Sequence, residues 1–248
     1  MTQAQAQTQL HANSSRLVRL LAELAGADPA ASGKLITERL GQLFDLPDSI
    51  RLSAVLDKPT TGPAQAAAVS REEARAEFLR ARAAIISSAL RSFTPGGGAI
   101  RLRFPPIATR EAFEEATTAD ALLAFYAAQQ RDIDFRVRNL QAATRGTAAG
   151  FSPRLARLAA LDATLGDTLA ANNKRFFSTV LTLLEKRVGS LLEEYRHAVS
   201  TDPRNEQLWA ETLTRLRSDM QGLLLAEIET RLLPALGLIE ALDEPDDE

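Results

Sequence analysis

From Ser152 to Val199 the chain contains one proline, Pro153, and apolar residues recur at every third or fourth position. Ser152-Pro153 starts a helix for chemical reasons. The serine hydroxyl accepts from a free first-turn amide, and proline at the first helical position gives up an N–H that has no helical partner. Leu158, Leu161, Leu165 and Leu169 lead up to Asn172-Asn173, after which Phe176, Val180, Leu184, Val188, Leu191, Tyr195 and Val199 resume the pattern. Such a helix measures about 70 Å at 1.5 Å per residue. An apolar stripe of that length needs other long helices beside it, so the rest of the chain must supply them.

Composition agrees. Hydrophobic residues make up 45% of the 248 residues but aromatics only 5%, a balance that favours helix-on-helix packing over a β-rich core. Residues 1–13 read as a flexible tail, followed by a small helical head over 14–57. In it, Leu17, Leu20, Leu21 and Leu24 form one stripe ended by Gly26, and Asp28-Pro29 opens a second helix carrying Leu35, Ile36, Leu40, Leu43 and Phe44. Leu46-Pro47 ends that helix, and Asp48 caps a third. Residues 58–69, with Pro59, Gly62 and Pro63, form a linker. Ser70 and Glu73 make a capping box for a helix reaching about Phe93 that buries Phe78, Ile85, Ile86 and Ala89.

The segment 70–116 then becomes a Gly/Pro-rich extended connector. After Pro95-Gly96-Gly97-Gly98, the run Ile100-Arg101-Leu102-Arg103-Phe104 alternates apolar and basic residues with a strand's period of two. A single strand has no partner within this chain. A short helix spans about 109–116, and a longer one runs from Thr118 to about Thr147 with Leu122, Tyr126, Ile133, Val137 and Leu140 in line. The turn 145–151 sends the long helix back antiparallel. Thr201-Asp202-Pro203 reverses the chain again into a final helix that presents Trp209, Leu213, Leu216, Met220, Leu223, Ile228 and Leu232 before Pro234. The predicted fold is all-α: an elongated antiparallel three-helix bundle over 117–239, the N-terminal head, and an acidic disordered tail over 240–248.

That tail carries six acids in its last nine residues, against a net charge of −3 for the whole chain. The remainder is close to neutral, so no concentrated basic face for nucleic acid is expected. There is no cysteine, hence no disulfide or thiolate chemistry. Met1 to Ser15 lacks the basic and apolar regions of a secretory signal, and no run of residues is apolar enough to span a membrane. A cytoplasmic location is the expectation.

Catalytic patterns are weak. Gly26 to Lys34 has the wrong glycine spacing for a phosphate loop, and Leu35 stands where Ser or Thr is needed. His11 and His197 are the two histidines. Glu194 and His197 have the spacing of a bundle metal motif, but it does not recur, and His197 reads as a charge near a helix C-terminus. Asp132 and Asp134, set among Arg131, Arg136 and Arg138, read as a surface charge lattice. No catalytic residue, metal ligand or cofactor is predicted. Two segments are candidates for partner binding. Asn172-Asn173 is either a register-setting polar layer or a partner notch. Ile100, Arg101, Leu102, Arg103 and Phe104 form either a connector pinned by its apolar side chains or a strand donated to a partner's sheet edge.

The run Ser14-Ser15-Arg16-Leu17-Val18-Arg19-Leu20-Leu21-Ala22-Glu23-Leu24, with Glu38-Arg39-Leu40-Gly41-Gln42 and Ser53-Ala54, resembles an uncharacterised proteobacterial family, the domain of unknown function 3348. The resemblance covers most of the chain and implies no known activity and no functional residues. It also implies gene neighbours encoding a MotA-like membrane protein and an OmpA-like peptidoglycan-binding protein, hence an accessory to an envelope assembly at the inner face of the inner membrane. The function expected is a non-enzymatic interaction or scaffold protein that pairs with a protein partner or with itself. The alternative is a peripheral membrane-surface protein with a BAR-like bundle, against which stands the mixture of seven basic and five acidic residues from Arg154 to Arg196.

Overall fold

The computed structural model describes residues 16, 17, 19–21, 53, 54, 69–94, 101–115, 117–202 and 207–244. Among these the chain is all-α, with no strand. Helices α1 (Arg71–Ser92), α2 (Arg110–Glu114), α3 (Thr117–Ala149), α4 (Pro153–Thr201) and α5 (Leu208–Glu240) are followed by a 3-10 turn, Ala241–Asp243. The starts are those the side chains dictate. Ser70 Oγ accepts from Glu73 N at 3.1 Å while Glu73 Oε2 accepts from Ser70 N at 2.7 Å. Ser152 Oγ accepts from Leu155 N at 3.3 Å. Helix α4 passes Asn172 without a break, and its 49 residues span about 73 Å.

Helices α3, α4 and α5 pack on one another in antiparallel succession, and α1 adds a fourth member that lies against both α3 and α5. Their seam is apolar: Leu122, Ile133 and Val137 from α3, Val180, Leu184 and Val188 from α4, Leu216, Met220 and Leu223 from α5, and Phe78 and Ile85 from α1 are all buried. Each such side chain contributes about 1.5–3 kcal/mol when removed from water. Leu17 joins the same core, and Arg16 pairs with Glu229 of α5 at 3.1 Å, so these two residues are docked on the bundle. The second and third helices expected in the head lie outside the described residues except for Ser53 and Ala54, which are helical and exposed.

The two halves of α4 differ. Phe177, Val180, Leu184, Val188, Leu191 and Tyr195 are buried, whereas no residue from 160 to 176 is. At 3.6 residues per turn, the stripe Leu158–Phe176 lies roughly 100° round the helix from the buried one. What reads in sequence as a single stripe is therefore two. Between residues 160 and 173 the seam positions of α4 are polar or small. Asp162 pairs with Arg145 of α3 at 2.6 Å, and at Gly166 a β-carbon would come within 3.2 Å of Arg145 Nη2.

Helix α5 does not stop at Pro234. It continues to Glu240, and Ala241 and Leu242 beyond it are buried. Proline inside a helix costs about 3 kcal/mol, which burial of Ala235, Leu238, Ile239 and Leu242 offsets. The acidic segment thus begins on the bundle: Asp243 pairs with Arg75, and Glu244 with Arg154 at 3.1 Å.

Candidate functional site

Among its described residues, 101–108, the connector after α1 forms no strand. Its backbone meets the end of α1 through a hydrogen bond from Phe104 N to Ser92 O at 2.8 Å. The alternation read from the sequence survives as alternating burial, with Arg101 and Arg103 exposed and Leu102 and Phe104 half-buried. Ile100 lies outside the described residues. The Phe104 ring sits 5.8 Å from that of Phe93 and 5.5 Å from that of Phe125, and the Arg217 guanidinium lies over it at 4.6 Å. Edge-on ring contacts and a stacked guanidinium both favour one geometry over others. The segment is therefore fixed on the bundle, with its arginines outward.

Asn172 and Asn173 do not form a buried layer. Asn172 is half-buried and Asn173 exposed. His197 is exposed, and Glu194 accepts from Ser190 Oγ at 3.2 Å. Asp132 pairs with Arg136 at 2.7 Å and Asp134 with Arg138, the charge lattice expected. His11, Lys34 and Leu35 lie outside the described residues. Among the described residues no three His, Cys, Asp or Glu side chains cluster as a metal site would require.

The lattice continues inward to a group that sequence reasoning missed. Asp134 also accepts from Arg231 of α5 at 3.0 Å, and Arg231 donates to Glu227 at 3.2 Å. Glu227 is fully buried. Tyr126 Oη donates to it at 2.6 Å, and Gln130 Nε2 reaches both of its oxygens at 2.9 and 3.0 Å. The same Gln130 nitrogen lies 3.1 Å from the carbonyl of Phe177 in α4, and the Arg231 guanidinium stacks 3.5 Å from the Phe177 ring centroid. Three helices therefore meet at one polar knot. Burial raises the Glu227 carboxyl above its ordinary pKa despite these donors, and burial beside that carboxylate pushes the Tyr126 phenol well up. The one available signal was position: Met220, Leu223 and Glu227 fall at i, i+3 and i+7, placing the acid on the apolar stripe.

A second cluster closes the C-terminal end of α4. Phe113 of α2, Tyr195 and Leu213 are buried together, with the Phe113 and Tyr195 rings edge-on at 5.0 Å. Tyr195 Oη donates to Glu114 at 2.6 Å, and Arg110 donates to the same oxygen at 2.8 Å. These two bonds hold the Glu114 carboxyl below its usual pKa. A cleft of about 320 Å³ opens beside them, floored by Phe113, Leu192 and Val199 and edged by Glu115 and Arg196.

No curated protein and no solved structure matches this chain. The model of a family described as protein of unknown function, DUF3348, matches residues 1–244. The chain belongs to that family.

Proposed function

We propose that this protein is a non-enzymatic interaction or scaffold protein that presents its basic connector, from a rigid helical bundle, to a protein partner. The observation that carries the reading is the anchoring of Phe104 between Phe93, Phe125 and Arg217, which leaves Arg101 and Arg103 exposed on a fixed backbone. A recognition segment held in one conformation before binding loses less entropy on association. The gene neighbourhood implied by family resemblance supports a MotA-like inner-membrane protein as the partner, with this chain at the inner face of the inner membrane. Donation of a strand is the weaker form of the idea, because the inward side chains are already engaged with the bundle.

The test is site-specific photocrosslinking in the native cell. A crosslinking amino acid at Arg101 should give an adduct with the cytoplasmic part of the MotA-like protein, and one at Glu193 on α4 should not. Adducts with lipid alone would favour a membrane-surface role, and no adduct from Arg101 would remove the reading.

A further inference from the structure

Where α2 ends against α4, the cluster around Phe113 leaves the cleft of about 320 Å³ described above. Three helices wall it. Phe113 comes from α2, Ala119 from α3, and Leu192 and Val199 from α4, two turns apart on one face. Phe113 is buried and the other three are half-buried, so the floor is apolar yet reachable from solvent. The mouth is charged, with Glu115 just past α2 and Arg196 on α4, both exposed. They arrive there together because each follows one member of a hydrogen-bonded pair: Tyr195 Oη donates to Glu114 at 2.6 Å. Glu114 itself is engaged, by Tyr195 and by Arg110 at 2.8 Å, which leaves Glu115 and Arg196 as the charges a guest would meet.

We propose that this cleft binds a free α-amino acid with a large apolar side chain, its ammonium at Glu115, its carboxylate at Arg196 and its side chain on Phe113, Leu192 and Val199. The volume falls at the small end of the roughly 300–1,000 Å³ usual for ligand sites, which suits one amino acid better than a lipid chain or a nucleotide. The lining has the make-up of such sites, an apolar floor with a few polar groups that fix orientation. Charge selects the head of the ligand. A fatty acid would satisfy Arg196 but set its carboxylate beside Glu115, and a simple amine would satisfy Glu115 but set its charge beside Arg196. A ligand carrying both charges gives each group at the mouth its opposite, and a guanidinium takes a carboxylate in two hydrogen bonds. An internal peptide segment brings neither charge from its backbone. The site uses none of the connector's residues, so it and the interaction reading stand or fall separately.

The experiment titrates the purified full chain with L-leucine and with L-phenylalanine, read by calorimetry and by saturation-transfer NMR. At least one should bind with a Kd of about 1 mM or below. The N-acetyl form of that amino acid lacks the ammonium and its amide lacks the carboxylate, so each should bind about fivefold or more weakly. Glu115→Gln should then bind the amino acid and its N-acetyl form equally, and Arg196→Gln should bind the amino acid and its amide equally. Loss of folding cannot produce that crossed pattern. Lys174→Gln, exposed about 33 Å away along α4, should change binding less than about twofold. No binding of either amino acid at up to about 10 mM would overturn the inference. So would analogues that bind the wild type as tightly as their parent, or equal losses in all three variants.

Discussion

The bundle contains the same three side chains twice, in opposite surroundings. Tyr126, Glu227 and Arg231 meet in the core, where the Glu227 side chain is 1% exposed; Tyr195, Glu114 and Arg110 meet at one end, where the Glu114 side chain is 42% exposed. Both tyrosines donate at 2.6 Å. Yet the carboxyl pKa moves up in the first set and down in the second. Hydrogen bonds to a carboxylate favour its charged form wherever they occur, but desolvation opposes that form only where water is excluded. The difference teaches that the contacts do not set the energetics by themselves. The buried set joins three helices at a fixed height, and the exposed one fastens the five-residue α2 to the end of α4.

The largest effects should come from breaking the buried set on one side. Arg231→Met leaves Glu227 without its cation and should cost about 3–5 kcal/mol in urea unfolding. Adding Glu227→Leu should restore much of that loss, since an apolar pair of similar volume avoids the desolvation penalty. The matching Arg110→Met change should leave the urea midpoint within error, because water and Tyr195 still solvate Glu114. Equal losses at the two sites would erase the contrast. Next in size, Tyr126→Phe should cost about 1.5–3 kcal/mol, and Tyr195→Phe about 1 kcal/mol or less.

The pH dependence should have opposite signs at the two sites. Folding raises the Glu227 pKa, so its contribution is fully favourable below the carboxyl range of the unfolded chain and is lost as pH rises through the folded-state value. Folding lowers that of Glu114, so its contribution is present above the unfolded carboxyl range and is lost as pH falls through the folded-state value. Thermal melts from about pH 4 to about pH 8 should therefore show the wild type losing its advantage over Glu227→Gln as pH rises, and over Glu114→Gln as pH falls, across the range where carboxyls titrate. The same trend in both would contradict the assignment.

Much of this architecture can be read from residues alone. Ser70 with Glu73 and Ser152 with Pro153 start helices where their chemistry requires it, and the α4 stripe from Val180 to Tyr195 is the buried one. The rest depends on pairings that no local pattern carries. Glu227 looks like any acid on a long helix until Tyr126 and Gln130, 101 and 97 residues away, close over it. The first half of α4 is misread because two apolar stripes with compatible spacing follow one another, and spacing does not record the rotation between them. Pro234 marks no helix end because the residues after it are buried deeply enough to carry the helix through. At the connector, period-two alternation matches the half-burial of Leu102 and Phe104 between exposed Arg101 and Arg103, but does not tell that a helix end rather than a sheet receives the backbone at Phe104. The smallest expected effect belongs to this group: Asn172→Ala should change stability by less than about 0.5 kcal/mol, since Asn172 holds no buried layer.

Amide hydrogen exchange on the full chain tests most directly the claim that a polar knot locks the long helix onto its neighbours. The account predicts that amides of Tyr126–Gln130, Phe177–Val180 and Glu227–Arg231 exchange slowest and only through global unfolding, with those of residues 160–173 exchanging through smaller openings. If the amides around Glu227 and Phe177 exchange as fast as those of residues 160–173, the knot locks nothing and the account is contradicted.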